Sequence, residues 1–297
     1  MTLSATKNRI AVLSPVAWRT PPHQYGAWET VAGNITEGLV ARGWDVTLFA
    51  TGDSQTSAHL HAVVDRGYEE DSSVDPKVAE SLHISEVFER ADDFDLIHSH
   101  YDFMALPYSR LVKTPVLTTI HGFSSPKIMP VYQKYCDGNY VSISESDRAP
   151  GLNYLGTVYN GIDVSLYPLQ AANGDALIFL GRIHPDKGVH LAIEVAQQSR
   201  QPLIIAGIIQ DETYFREQVE PHLDGEQIRF VGAVDMAGKN ELFARARALL
   251  HYAGRLPQRR DLSGKVQRIL RAARQTSFGN CALVDLDYLI AGPRLLG

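Results

Sequence analysis

Leu177-Ile178-Phe179-Leu180-Gly181-Arg182-Ile183-His184-Pro185-Asp186-Lys187-Gly188 is the stretch from which the fold can be read. Four consecutive apolar residues, bounded by a glycine, predict a short buried strand. After Gly188 the apolar residues fall at helical spacing over 189–198. Strand, glycine-bearing loop and helix form one half of a parallel βαβ unit. The loop carries two cations, Arg182 and Lys187, just before the helix begins. A helix N-terminus favours anions through its dipole and free N–H groups, and the planar Arg fork matches phosphate oxygens. The segment therefore predicts a site for a diphosphate. On these residues alone, a solvated turn with two surface cations remains the alternative.

Working outward, the same alternation recurs. Downstream, strands are predicted at 202–207 and 228–232, and helices at 214–223 and 239–250. The last helix would carry Leu242, Phe243, Ala246, Leu249 and Leu250 on one side. Upstream, a strand at 10–13 leads through a proline-containing loop to a helix starting at Trp28, with Val31, Ile35, Leu39 and Val40 on its apolar face. Arg42-Gly43 closes that helix with a basic last turn and a glycine stop. Further strands are expected at 46–50, 94–98, 114–120, 140–144 and 156–159. A helix at 78–90 follows a polar stretch, and 103–111 is a helix or helical turn. Two runs of βα alternation predict two Rossmann-like α/β domains with parallel sheets, rather than one long sheet. The expected division is 1–167 and 168–297, because Pro168, Asn173 and Gly174 interrupt the pattern. In such sheets ligands bind beyond the carboxyl ends of the strands. That singles out Trp18 to Glu29, His100-Tyr101-Asp102, His121-Gly122, Ser144-Glu145-Ser146, Asn160-Gly161 and the loop quoted above.

Gly181-Arg182-Ile183-x-Pro185-x-Lys187-Gly188 resembles the phosphate-binding motif of retaining glycosyltransferases of the two-domain GT-B fold, and more narrowly of glycosyltransferase family 4, also called group 1. The strand leading to His121-Gly122, the segment Ser142-Ile143-Ser144-Glu145-Ser146 and the turn Val158-Tyr159-Asn160-Gly161-Ile162-Asp163 are similar to segments of the same family, in the same order. Tyr25-Gly26-Ala27-Trp28-Glu29 resembles its glycine-containing first loop, with one glycine where two are usual. The resemblance implies two Rossmann-like domains facing a cleft, and transfer of a sugar from a nucleotide-sugar, UDP- or GDP-linked, to an acceptor hydroxyl with retention of configuration. It implies no metal and no cofactor. The acceptor would be a carbohydrate, a lipid or a small molecule. Arg182 and Lys187 would stabilise the charge developing on the leaving diphosphate. His121 would stand near the donor sugar; as a bare residue it reads equally as a hydrogen-bonded histidine at a strand end. Gly26, Gly181 and Asn160 would lie on the donor side. Glu29, His100 and Ser144 would lie on the acceptor side, although Glu29 also reads as a charge placed at a helix start.

The sequence departs from the family after Leu250. The family continues there with two glutamates eight positions apart that hold the donor's sugar and ribose, whereas residues 251–297 contain no Glu. They hold eight Lys or Arg against three Asp, so this tail carries +5 and the first 250 residues −11 of the total −6. That break predicts a second domain that is incomplete, through a frameshift or a divergent truncation. It also keeps open a catalytically inactive nucleotide- or sugar-binding relative, and, more distantly, a two-domain sugar epimerase.

Other signals weigh less. Asp285-Leu286-Asp287 is a DxD triplet of a kind that recurs by chance. His98-Ser99-His100 with Asp102 could present two rings to one face, but a third metal ligand at a convincing spacing is missing. No G-x-G-x-x-G follows the first strand and no G-x-S-x-G occurs, which disfavours a nicotinamide dehydrogenase and the commonest serine hydrolases. A net charge of −6 gives the chain no polybasic footprint for nucleic acid. Two cysteines, Cys136 and Cys281, fit a reduced setting. With no signal-peptide pattern and no long apolar run, a cytoplasmic protein is expected. Docking on an anionic membrane stays open through the basic amphipathic stretch 265–274.

Overall fold

The strand Arg9–Leu13 (β1) is buried at four of its five positions. A strand covered on both faces reads as a continuous apolar run rather than an alternating one, as Ile10-Ala11-Val12-Leu13 does. The structure, a computed structural model, describes residues 8–123, 125–168, 174–251 and 282–285. The chain divides into two compact units, Met1–Ile162 and Asp163–Gly297.

In the first unit β1 is followed by α1 (Ala27–Ala41), β2 (Asp45–Phe49), β3 (His59–His61), α2 (Pro76–Glu89), β4 (Leu96–Ser99), β5 (Val116–Ile120), α3 (Met129–Lys134), β6 (Asn139–Ser142) and β7 (Tyr154–Thr157). The strands form one parallel sheet in the order β3-β2-β1-β4-β5-β6-β7. Ala32 of α1 packs with Ile10, Val12, Val46 and Leu48. Ala79, Ile84, Val87 and Phe88 of α2 pack with Ala11, Leu13, Phe49 and Ile97. Because successive residues of a strand point to opposite faces, these are the two sides of a doubly wound sheet. Strand order reverses between β1 and β4, and the crevice beyond such a reversal is where ligands bind.

The second unit holds β8 (Ala176–Leu180), α4 (Val189–Ser199), β9 (Leu203–Ala206), α5 (Glu212–Gln218), β10 (Ile228–Phe230), α6 (Met236–Arg245), β11 (Ala246–His251) and β12 (Ala282–Asp285). Its sheet is also parallel, in the order β10-β9-β8-β11-β12. Here the reversal lies between β8 and β11, so the loop after β8 opens at the switch point.

The expected helix over 239–250 is corrected. Helix α6 stops at Arg245, and Ala246–His251 is a strand beside β8. Ala246, Ala248 and Leu250 face inward while Arg247 and His251 face out. That is a period of two, which the apolar spacing alone cannot separate from a helical period over so few residues. The helix expected over 214–223 ends at Gln218, and Pro221 sits in a separate 3-10 turn. Two elements escape the sequence pattern: β3, inside the polar stretch, and α3. The tail contributes β12, paired to β11, with Asp285 at its end. Leu286, Asp287 and the stretch 265–274 lie outside the described residues.

Candidate functional site

Where β1 ends, the chain runs through a loop to Gly26, the residue that caps α1. Gly26 has φ 143°, and a Cβ there would stand 2.9 Å from the Pro22 ring and 3.0 Å from a Glu29 carboxylate oxygen. Only glycine meets both constraints. The tight turn sends Glu29, in the first turn of α1, inward, where it is 3% exposed. Burial pushes its carboxyl up to about 7, against a smaller downward pull from the N–H groups of Glu29 and Trp18. Glu29 lines a cavity of about 300 Å³ together with Trp18, Tyr25, Gly26 and Trp28 from the β1–α1 loop and helix start. Tyr68 and Glu80 close one side, and Tyr101, Asp102 and Phe103, just past β4, another. Tyr68 donates to Glu80 at 3.0 Å, and the Tyr132 hydroxyl donates to Asp102 at 2.5 Å.

Beside this cavity lies a group of histidines at the ends of β4 and β5. His98 Nε2 meets the Thr119 hydroxyl at 2.8 Å. His100 Nδ1 and His121 Nε2 are 3.0 Å apart and share one hydrogen. The Trp28 ring stacks on His121 at 5.4 Å between centroids, 16° from parallel. Burial lowers His98 and His121 to about 4 and holds His100 well below the usual imidazole range, so all three are neutral at pH 7. His100 is completely buried and its Nε2 has no partner. Its hydrogen-bond partner is His121. Among the described residues no cluster of three or more His, Cys, Asp or Glu is placed to hold a metal ion. Ser144 bonds to Asp147 at 2.7 Å and Ser146 at 3.0 Å in the loop after β6. Asn160 is exposed after β7. Neither lines the cavity.

In the second unit three glycines mark adjoining strand ends. Gly181 N–H donates to Ala206 O at 3.0 Å, and Gly207 N–H to Gly232 O at 2.9 Å. Gly207 has φ 152°, and a Cβ on it would fall 1.8 Å from Gly181 O. This close approach fixes the start of the loop carrying Arg182 and Lys187. Arg182 donates to the Gln210 side-chain oxygen. His184 Nδ1 accepts from Asp186 N–H at 3.2 Å and opens the turn Pro185–Lys187. Gly188, at φ 66°, starts α4 with no side-chain cap on its amides. Lys187 is half-buried; burial and the Arg182 charge both lower its pKa, while Asp186 raises it. The two cations thus act on one another at the entrance to α4.

Tyr68, Glu80 and Gln210 were not singled out from sequence, and Trp28 was named only as a helix start and a member of the first loop. The strand-terminal glycines at 181, 207 and 232 were the signal that could have pointed to Gly207 and Gln210. Nothing local marks Tyr68 or Glu80, which reach the cavity from the polar stretch and from α2.

Comparison with known proteins bears on the family and the fold. The sequence model of Glycosyltransferase Family 4 matches residues 28–166, and that of Glycosyl transferases group 1 matches residues 169–255. The chain belongs to this glycosyltransferase family. Over 115 residues it is 33% identical to glycogen synthase of Mycobacterium tuberculosis, a match covering 35% of this chain and 28% of that one. The matched part therefore spans less than a third of that relative's length. Among solved structures, sucrose-phosphate synthase from Thermosynechococcus elongatus superposes with a TM-score of 0.62 at 15% identity, over 82% of this chain and 75% of that one. AviGT4, a glycosyltransferase involved in avilamycin A biosynthesis, gives 0.56 at 22% identity, over 82% and 69%. These two likenesses speak for the glycosyltransferase fold. Among the described residues no helix is long and apolar enough to cross a membrane.

Proposed function

We propose that the chain moves a sugar from a nucleotide-sugar, UDP- or GDP-linked, to an acceptor hydroxyl with retention of anomeric configuration and without a metal. Arg182 and Lys187 carry this reading: two cations acting on each other in the loop after β8, at the sheet's switch point. As the bond from the anomeric carbon to the diphosphate oxygen breaks, negative charge grows on that oxygen. The guanidinium and ammonium groups stabilise it. The acceptor oxygen bonds to the anomeric carbon on the face the diphosphate leaves, and its proton passes to the departing phosphate oxygen. Gly181 and the α4 amides would approach the phosphates, with Asn160 on the donor side. The Glu29 cavity would seat the acceptor, which is a carbohydrate, a lipid headgroup or a small molecule. Neutral His121, held by His100 and Trp28, would serve the donor sugar as a hydrogen-bonding group rather than as a charge.

The test is turnover with a panel of UDP- and GDP-sugars, followed by assignment of the product's anomeric configuration. Product with retained configuration, lost in Arg182→Ala, supports the proposal; an inverted product or a requirement for added divalent metal contradicts it. A second reading, a nucleotide-binding relative without catalysis, is favoured by one observation: no glutamate follows Glu241, where the family carries its donor-holding pair. Nucleotide binding with no turnover on any donor would establish that reading instead.

A further inference from the structure

We infer that the Glu29 cavity selects an acceptor bearing an amino group, an aminosugar or aminocyclitol, and disfavours a phosphorylated one. This rests on the proposed function only in calling the occupant an acceptor; the charge selection belongs to the cavity itself. Its walls are aromatic, with Trp18 and Tyr25 meeting edge to face at 6.1 Å and Tyr68 beside them. Aromatic faces take the C–H surface of a sugar ring and also attract ammonium groups. Three carboxyl groups, Glu29, Glu80 and Asp102, face the same space, and no Lys, Arg or His stands among the described residues lining it.

The electrostatics agree with this geometry. The influences on Glu29 are burial, two backbone N–H groups and the negative Glu70. Those on Glu80 are burial and the neutral Tyr68 hydroxyl. Among the described residues no cation acts on either, and both carboxyls are raised. A buried carboxylate lacking a counter-charge is costly, and a ligand ammonium within the cavity would supply one. A phosphate dianion would instead add like charge to a partly desolvated acidic space. The cavity is therefore complementary to a polyhydroxylated ring with a positive substituent.

Three hexoses that differ at one carbon make the test: 6-amino-6-deoxyglucose, glucose and glucose 6-phosphate, titrated at pH 7.5 into the full chain without nucleotide. A primary alkylamine keeps its proton at this pH. Trp18 lines the cavity and Trp28 stacks against its histidine neighbour, so tryptophan fluorescence reports occupancy. The amine is expected to bind at least tenfold more tightly than glucose, and the phosphate ester more weakly than glucose. Glu80→Gln keeps an acceptor for Tyr68 and should cut the amine's advantage over glucose at least threefold. Glu29→Gln provides the same reading should the first variant fail to fold. Equal affinity for amine and glucose, phosphate binding as tight as glucose, no binding of any of the three, or an amine advantage that survives both variants would overturn the inference. UDP and GDP titrated in parallel separate the two proposals. Amine selection without nucleotide binding removes the transfer reading alone; nucleotide binding without amine selection removes this one alone.

Discussion

Glu29 is held in the first turn of α1 with its carboxyl raised from 4.5 to about 7 by burial. A carboxyl whose folded pKa lies above its unfolded value costs stability as pH rises from about 4.5 through 7. At about 1.4 kcal/mol per unit, that cost approaches about 3 kcal/mol at pH 8. Glu29→Gln should therefore raise the denaturant midpoint at pH 8 and leave it nearly unchanged at pH 4. The buried histidines have the opposite sign. His83, His98 and His121 are each lowered from 6.5 to about 4, mainly by burial. In the range between those values the unfolded chain binds protons that the folded chain refuses, so stability is lost as pH falls from 6.5 towards 4. Urea midpoints measured across pH 4–7 in Glu29→Gln, where the opposing carboxyl is absent, should fall steeply on the acid side. A flat profile would mean that these histidines take up protons in the folded state. The residues legible in the sequence, His121, Arg182 and Lys187, all follow strand ends, where a doubly wound sheet places its ligands. Those that were not legible, Tyr68 and Glu80, gain their meaning from the β1–α1 loop with which they share the cavity, and Trp28 gains its own from its stack on His121, a residue far along the chain.

Strand β11 and the glycine contacts can each be tested by single substitutions in the second unit. Leu250 is 1% exposed in the core with Leu177, Ile205 and Ala248, while Arg247, on the alternate face of β11, is exposed. Leu250→Ala should cost about 2–5 kcal/mol, and Arg247→Ala less than about 0.5 kcal/mol; thermal denaturation of both variants measures the difference. Similar losses at the two positions would contradict the strand register. Gly207→Ala places a Cβ against the Gly181 carbonyl, a backbone atom with no side-chain freedom to withdraw. It should cost more than about 3 kcal/mol and reduce nucleotide affinity through the displaced Arg182 loop. Gly122→Ala, with φ 137° but open space around its Cβ, should cost only backbone strain, about 1–3 kcal/mol. Most strands were legible because each is a short apolar run closed by glycine, serine or histidine. β11 was not, since Leu242, Phe243, Ala246, Leu249 and Leu250 fit a helical face as well as their last members fit a strand, and pairing with β8 settles the matter. β3 has three residues with two histidines on a sheet edge, and α3 has six with a proline in its first turn; neither is long enough to show a period.

The whole molecule combines two parallel sheets, each with its own order reversal and its own set of polar residues beyond the strand ends. The doubling was legible because the βα pattern repeats; the cavity's acidic, aromatic character was not, because it assembles from the β1–α1 loop, the polar stretch, α2 and the end of β4. Ligand responses should separate by unit. Arg182→Ala should weaken diphosphate binding at least tenfold and leave hexose binding to the nucleotide-free protein unchanged, while Glu80→Gln should cut the amine's advantage over glucose and leave diphosphate binding unchanged; fluorescence and calorimetric titrations read both. The most direct measurement is calorimetric titration of UDP and GDP, with UMP and GMP alongside, into the unaltered chain, Arg182→Ala, Lys187→Ala and the double variant. Charge-assisted contacts of this kind are worth about 1.5–3 kcal/mol each, so one diphosphate is expected to bind and to weaken at least tenfold in each single variant, with the monophosphates much less affected. A diphosphate affinity that is unchanged in both folded variants, or no diphosphate binding by the unaltered chain, would contradict the assignment of these two cations to a departing diphosphate.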